Sequence, residues 1–252
     1  MSNPSYLPTT KVSPDSPLFT VVEEAYRVFR HPKPKSIGVC ERCCMDLAIE
    51  QDFFNSPIRE LPLSYVRDWY LAAYDPAGIP KETWAYLLPR ILEILAAGED
   101  VSSVATEVSL NRFETGNPEK WSLKEWKVLD DFQRTYLSHE IEHGDHTLDD
   151  MLCMFSLAGW DLQGLLDQVL SARDEILAQR LWNDWCRYGQ ASGIGTIWVT
   201  AFWESPENSA AYEFYTSRGL HDRMEALALA DDADAELAAK ASAVATLIDA
   251  NR

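Results

Sequence analysis

Apolar residues recur at helical spacing along almost the whole chain, and stretches that alternate apolar and polar with the two-residue period of a strand are nearly absent. A chain patterned in this way hides its apolar stripes by packing helix on helix, so the predicted fold class is all-α. The clearest series is Trp84, Leu87, Leu88, Ile91 and Leu95, which lies on one helix face and ends at Gly98. Pro89 falls within it and removes one backbone hydrogen bond, so a kink is expected there. A second series, Trp126, Leu129, Phe132 and Tyr136, is introduced by Ser122 with Glu125 three residues later. That spacing is a capping box, in which each residue's side chain satisfies the other's backbone N–H. The helix it starts should stop at Gly144.

Further helices are expected after Ser16, with Pro17 at the first helical position, to about Arg30, from near Val39, after Pro57, over 147–158, 161–170, 172–188 and 206–217, and along Leu237, Ala241, Val244 and Ile248. The segment TIWVTAFW has strand-like composition but no partner strand, and is expected to be a buried helix. Two stretches, LAAGEDVSSVATEV and SLAGWDLQGLLDQV, look alike. In each, a glycine (Gly98, Gly159) suits the left-handed position after a helix, and an aspartate (Asp100, Asp161) suits the N-cap of the next. Repeated helical hairpins of this kind predict stacked hairpins, a HEAT-like or irregular α-solenoid. Residues 1–16 read as an irregular N-terminal arm and 17–252 as a single helical domain.

The formal charge is −18, from 22 basic and 40 acidic residues. Such a surface repels a phosphate backbone, so nucleic acid is not an expected partner. The one basic cluster, Arg27, Arg30, Lys33 and Lys35 around His31, reads as a solvated helix end whose cations complement the dipole. No window supplies the roughly 18 to 20 apolar residues that span a bilayer, and five Cys, an odd number, with no N-terminal basic and apolar segment point to the cytoplasm.

Two constellations could carry chemistry. In HEIEH, His139 and His143 are four residues apart on a helix and could hold zinc while Glu140 activates a water, as in zinc metallopeptidases. Glu142 puts a charge at an interior position of that motif, Gly144 follows at once, and no third ligand announces itself among Asp145, His146, Asp149 and Asp150. The competing reading has both histidines continuing the Phe132 and Tyr136 stripe. The second constellation is Cys40, Cys43 and Cys44, a thiol or metal site if the thiolates converge, or small core residues on a stripe with Leu47, Gln51 and Phe54. No phosphate loop, nucleophile elbow or dinucleotide fingerprint is present; Gly193 and Gly195 make only a lone G-x-G. The paired Trp182 and Trp185, and the group Tyr65, Trp69, Tyr70, Tyr74 and Trp84, read as core.

Four stretches, PKPKSIGVCERCCMD, ELPLSYVRDWYLAAYDP, YLLPRILEILAAGED and LCMFSLAGWDL, resemble a bacterial family of uncharacterised helical proteins with a Cys-x-x-Cys-Cys-Met signature. The resemblance covers roughly residues 30 to 165 and implies a bacterial cytosolic protein, with no activity to carry over. The function expected from the residues is therefore a non-enzymatic, protein-binding module with an acidic face formed by Glu140, Glu142, Asp145, Asp149 and Asp150, taking a basic protein partner. An immunity-type inhibitor of a bacterial toxin is its most concrete form. No cofactor is expected on that reading; zinc is the expectation on the hydrolase reading, with Glu140 catalytic.

Overall fold

A computed structural model describes residues 10–39, 45, 47–72, 79–111, 113–187, 195–231 and 234–252. Among the described residues every regular element is helical, and no helix is long and apolar enough to cross a membrane. The chain divides into two compact units, Met1–Tyr136 and Leu137–Arg252. The boundary falls inside one long helix.

In the first unit, α1 (Phe19–Val28) packs on α4 (Lys81–Ala96), with α2 (Leu47–Asp52), a 3₁₀ turn at Ile58–Glu60 and α3 (Leu63–Ala72) between them in sequence. α1 starts later than Pro17 suggests because Pro17 and Leu18 form a turn, in which the Ser16 hydroxyl accepts the Leu18 N–H at 3.2 Å. The core is aromatic. Trp69 meets Trp84 edge to face, and its indole N–H donates to the Ile37 carbonyl at 2.7 Å, so a large buried ring leaves no polar atom unpaired. Each such fully buried side chain contributes about 1.5–3 kcal/mol. α4 runs on through Pro89, where the Ala85 carbonyl lacks its helical donor.

The helix expected near Val39 does not begin there. Gly38 is left-handed, Met45 lies in a bend and α2 starts at Leu47. Its expected stripe also shifts, with Gln51 exposed and Phe53 rather than Phe54 buried. Cys40, Cys43 and Cys44 lie outside the described residues, as do Tyr74 and Gly193.

The two similar hairpin turns diverge after their glycines. Gly98 and Gly159 both have positive φ, and both close the six-residue C-terminal bond, Glu99 N–H to Ile94 and Trp160 N–H to Phe155. Asp161 then caps a helix, its carboxylate accepting the Gly164 N–H. Asp100 does not. Its carboxylate takes the Thr106 hydroxyl at 2.6 Å and its carbonyl takes Arg67, which ties down an irregular segment with a 3₁₀ turn at Thr106–Val108.

α5 (Leu123–His143) begins on the expected capping box: Ser122 N–H donates to the Glu125 carboxylate at 2.9 Å, and the Glu125 N–H returns to the Ser122 hydroxyl. The second unit continues with α6 (Leu148–Leu157), α7 (Leu162–Leu170), α8 (Asp174–Leu181) with a π-helical extension over Trp182–Cys186, α9 (Glu207–Tyr215), α10 (Arg218–Ala228) and α11 (Ala235–Ala250). α11 packs against α8 and α10. α10 is not foreseen by the periodicity because its buried stripe is narrow, resting on Leu220 and Met224.

TIWVTAFW is not a helix. Its described residues are irregular, with Ile197, Thr200 and Trp203 buried at three-residue intervals and Trp198 and Phe202 turned outward. The segment is held by side chains. The Ile197 N–H donates to Asn251, and the Thr200 N–H and Trp203 indole N–H donate to Asp149.

Candidate functional site

The HEIEH residues end α5, but they do not share one environment. The buried face of this helix runs through Phe132, Gln133, Tyr136, Leu137, Glu140 and Ile141, so the stripe continues into Glu140 and Ile141 and not into the histidines. Glu140 is 6% exposed. Its carboxylate lies 3.7 Å from His139 Nδ1 and 3.9 Å from His146 Nδ1, and fills the space beside Gly144 where a Cβ would collide with it. His139 meets His143 edge to face at 5.5 Å between ring centres, and the His143 side chain is 67% exposed. Among the described residues, the grouping in which three metal-ligating atoms come within 4.8 Å of one another is elsewhere: His221, Asp222 and Glu225 on α10, where Asp222 is engaged by His221 and Arg218.

Arg180 organises the turn after α5. Its guanidinium is buried, donates to the carbonyls of Glu140 at 3.0 Å and Gly144 at 2.6 Å and to that of His146, and lies 3.3 Å from Asp184. The Glu140 carbonyl also keeps its bond from the Gly144 N–H, so Arg180 adds a second donor there and serves the Gly144 and His146 carbonyls just past the helix, a cap supplied from α8. Asp184 in turn accepts the Leu148 N–H, and burial holds its carboxyl above the ordinary range.

Asp149, 2% exposed, is the second buried carboxylate. It accepts the Thr200 N–H at 2.5 Å and the Trp203 indole N–H at 3.0 Å. Desolvation pushes its pKa up to about 6, against the lowering effect of those donors. Asp150 completes a capping box with Thr147. The acidic face expected from the sequence is thus corrected: Glu140 and Asp149 are internal, Asp150 caps α6, and Glu142 and Asp145 remain exposed. The register of α5 turns Glu140 inward, and the Thr200 and Trp203 N–H groups hold Asp149 inward.

The first unit holds a different arrangement. A groove of about 1510 Å³ runs between α1, the turn at Pro57–Arg59 and the first half of α5. Its floor includes Phe19, Val21, Ile58 and Val128, and its rim carries six cations, Arg27, Arg30, Arg59, Lys124, Lys127 and Arg134, against three acids, Glu23, Glu24 and Asp131. All three acids are paired, with Arg59, Arg27 and Lys127 respectively. Arg30 and Lys124 have no ion-pair partner among the described residues, so the groove is locally cationic in a chain of net charge −18.

The geometry follows from two anchors. His31 Nε2 lies 2.8 Å from the Glu125 carboxylate and so fixes the end of α1 to the start of α5. Burial raises the Glu125 pKa, but the Ser122 bonds and His31 outweigh it and keep the carboxyl below its usual range. At the other side, Arg59 makes a two-pronged bond to Glu23, at 2.6 and 2.8 Å, and lies 3.9 Å over the Tyr26 ring, whose hydroxyl donates to Glu93 beside the buried Arg90. Lys124 and Lys127 sit in the first turns of α5, where the helix dipole already favours anions, and so add to the same positive potential.

The basic cluster around His31 was legible in the sequence as a local exception to the acidic composition. Arg59, Lys124, Lys127 and Arg134 were not, because they join Arg27 and Arg30 only through the packing of separate helices. The remaining cysteines among the described residues, Cys153 and Cys186, are buried free thiols, and burial pushes the Cys186 thiol up to about 11. No family model, no curated protein and no solved structure matches the chain.

Proposed function

We propose that the chain is a non-enzymatic protein-binding module whose first unit takes an acidic, amphipathic segment of a partner protein into the groove between α1 and α5. The observation that carries this reading is the surplus of cations, six against three, around an apolar floor in an otherwise strongly acidic chain. An amphipathic helix laid in such a groove buries its apolar face and directs carboxylates to Arg30 and Lys124, which have no ion-pair partner among the described residues. The volume favours a segment over a small molecule, whose pockets are about 300–1,000 Å³. The short Gly159 turn joining α6 and α7 supports a HEAT-like stacking of hairpins as the scaffold, whereas the irregular segment after Gly98 marks where such a repeat is interrupted.

The test is calorimetric titration of the full chain with a synthetic peptide carrying Leu and Glu at helical spacing. Binding is expected, weakened about tenfold or more by Arg30→Glu with Lys124→Glu, and unaffected by Lys35→Glu with Arg173→Glu, which change net charge equally outside the groove. Equal loss in both double variants, or no binding, overturns the proposal. Displacement of the peptide by a short single-stranded RNA would assign the groove to nucleic acid and overturn it as well.

A further inference from the structure

The TIWVTAFW segment is a second surface with its own chemistry. It lies between α8 and α9 without helical or strand bonds, yet it is anchored at three inward positions, Ile197, Thr200 and Trp203, by Asn251 and Asp149. Anchoring fixes the outward residues too. Trp198 is 48% exposed and Phe202 37%, two large aromatic side chains shown to solvent from one short, tied-down loop. Exposed aromatics held rigid lose little conformational entropy when covered, which is why Trp is enriched among the residues that dominate binding energy.

The charges beside this loop restrict what can cover it. Glu204 lies two residues after Phe202 and Glu207 opens α9, and neither has an ion-pair partner among the described residues. A second copy of the same surface would bring like charges together around the aromatics, which disfavours self-association. An arginine-bearing segment suits both features, because a guanidinium stacks on an indole face and pairs with carboxylates at the same time.

From this we infer that the Trp198 and Phe202 loop of the second unit is a docking site for a basic, arginine-bearing segment of a partner protein, with Trp198 receiving a guanidinium and Glu204 and Glu207 pairing with flanking cations. This site is independent of the groove in the first unit. It also accommodates the basic partner that composition suggests, on different residues from the acidic run after α5.

The experiment uses the full chain and a synthetic peptide of Leu and Arg, titrated by calorimetry at low and at moderate salt. The expected result is binding that weakens about tenfold in Trp198→Ala and again in Glu204→Lys, and that is unchanged in the Arg30→Glu with Lys124→Glu variant. Trp198→Phe, which keeps an aromatic face, should recover part of the loss and separates ring contact from loop disruption. Absence of binding, or binding equally strong in Trp198→Ala, overturns the inference, the latter because attraction to net charge alone ignores an indole. Loss of the Leu and Glu peptide's binding in Trp198→Ala would also overturn it, by merging the two sites.

Discussion

Each unit buries an arginine, and the two are used in opposite ways. Arg90 in the first unit donates to the Leu61 and Thr10 carbonyls and to Glu93; from Glu93 the chain of contacts leads outward through the Tyr26 hydroxyl to Arg59 and Glu23 at the rim of the groove. Arg180 in the second unit donates to three carbonyls at and just past the end of α5 and pairs with Asp184, and Asp149 leads further inward to Thr200 and Trp203. Both arrangements put charge where water is scarce, which is tolerated only when each charge is paired or hydrogen-bonded. The first ends at solvent with cations left over. The second is consumed by backbone groups. Buried charge in this protein therefore leads to the rim of an open groove in one unit and to a structural clamp in the other, and burial alone does not tell which.

Replacing an arginine from each network should separate the two most sharply. Arg180→Ala takes the guanidinium from the Gly144 and His146 carbonyls and leaves Asp184 buried without its cation, which should cost about 3–5 kcal/mol in urea denaturation at pH 7. Arg59→Ala removes a guanidinium that is 38% exposed and pairs with a Glu23 that is 42% exposed, so solvent screening limits the loss to about 1 kcal/mol or less. Its effect should instead appear as weaker binding of the Leu and Glu peptide. Equal destabilisation by the two changes would erase the distinction between clamp and surface.

A pH titration sharpens the same contrast from the second unit. The Asp149 pKa is raised to about 6 from 3.8, so between those values the native state holds more protons than the unfolded one. The stability this group contributes is present below about pH 3.8 and lost as pH rises through 6, on the order of 3 kcal/mol in total. Asp149→Asn should remove that term. Unfolding free energies of the wild type and the variant, followed from pH 4 to pH 7, should show the wild type losing more with rising pH. Parallel curves would mean that Asp149 is solvated in the folded protein. The first unit offers the opposite sign: Glu23 is held below its ordinary range by Arg59, so its smaller contribution is lost on acidification.

What the sequence revealed of these two regions follows from how local each signal is. The Ser122 and Glu125 capping box, the stop at Gly144, and the left-handed Gly98 and Gly159 depend on residues within one turn, and all appear where the pattern places them. The path of TIWVTAFW depends on Asp149, some fifty positions away, and nothing near Trp198 announces that partner. The groove is similarly distant in origin, since its six cations come from α1 and the residues just after it, the turn before α3, and α5. Glu140 and Asp149 were misassigned to a surface because a run of charges looks the same whether water, a buried helix face or an indole N–H meets it. Sequence periodicity specified the helices with broad apolar stripes, such as α4 and α5, but not α10 or the path of TIWVTAFW, and long-range hydrogen bonding decided which polar residues face outward.

The smallest effect tests the joint between α1 and α5. Ser122→Ala removes the hydroxyl that caps α5, an interaction of about 1 kcal/mol, and leaves His31 as a partner of Glu125. If that cap only stabilises the helix, the urea midpoint falls modestly and the Leu and Glu peptide binds as before. If the joint also sets the spacing of Arg27 and Arg30 against Lys124 and Lys127, His31→Ala should weaken the peptide more than Ser122→Ala at a comparable loss of stability. The reason is that the histidine bridges the two walls of the groove, whereas the serine acts on one helix alone. Equal effects of the two substitutions on binding would mean that the groove is shaped by its apolar floor and not by this ion pair, and would move attention from His31 to Val21 and Val128.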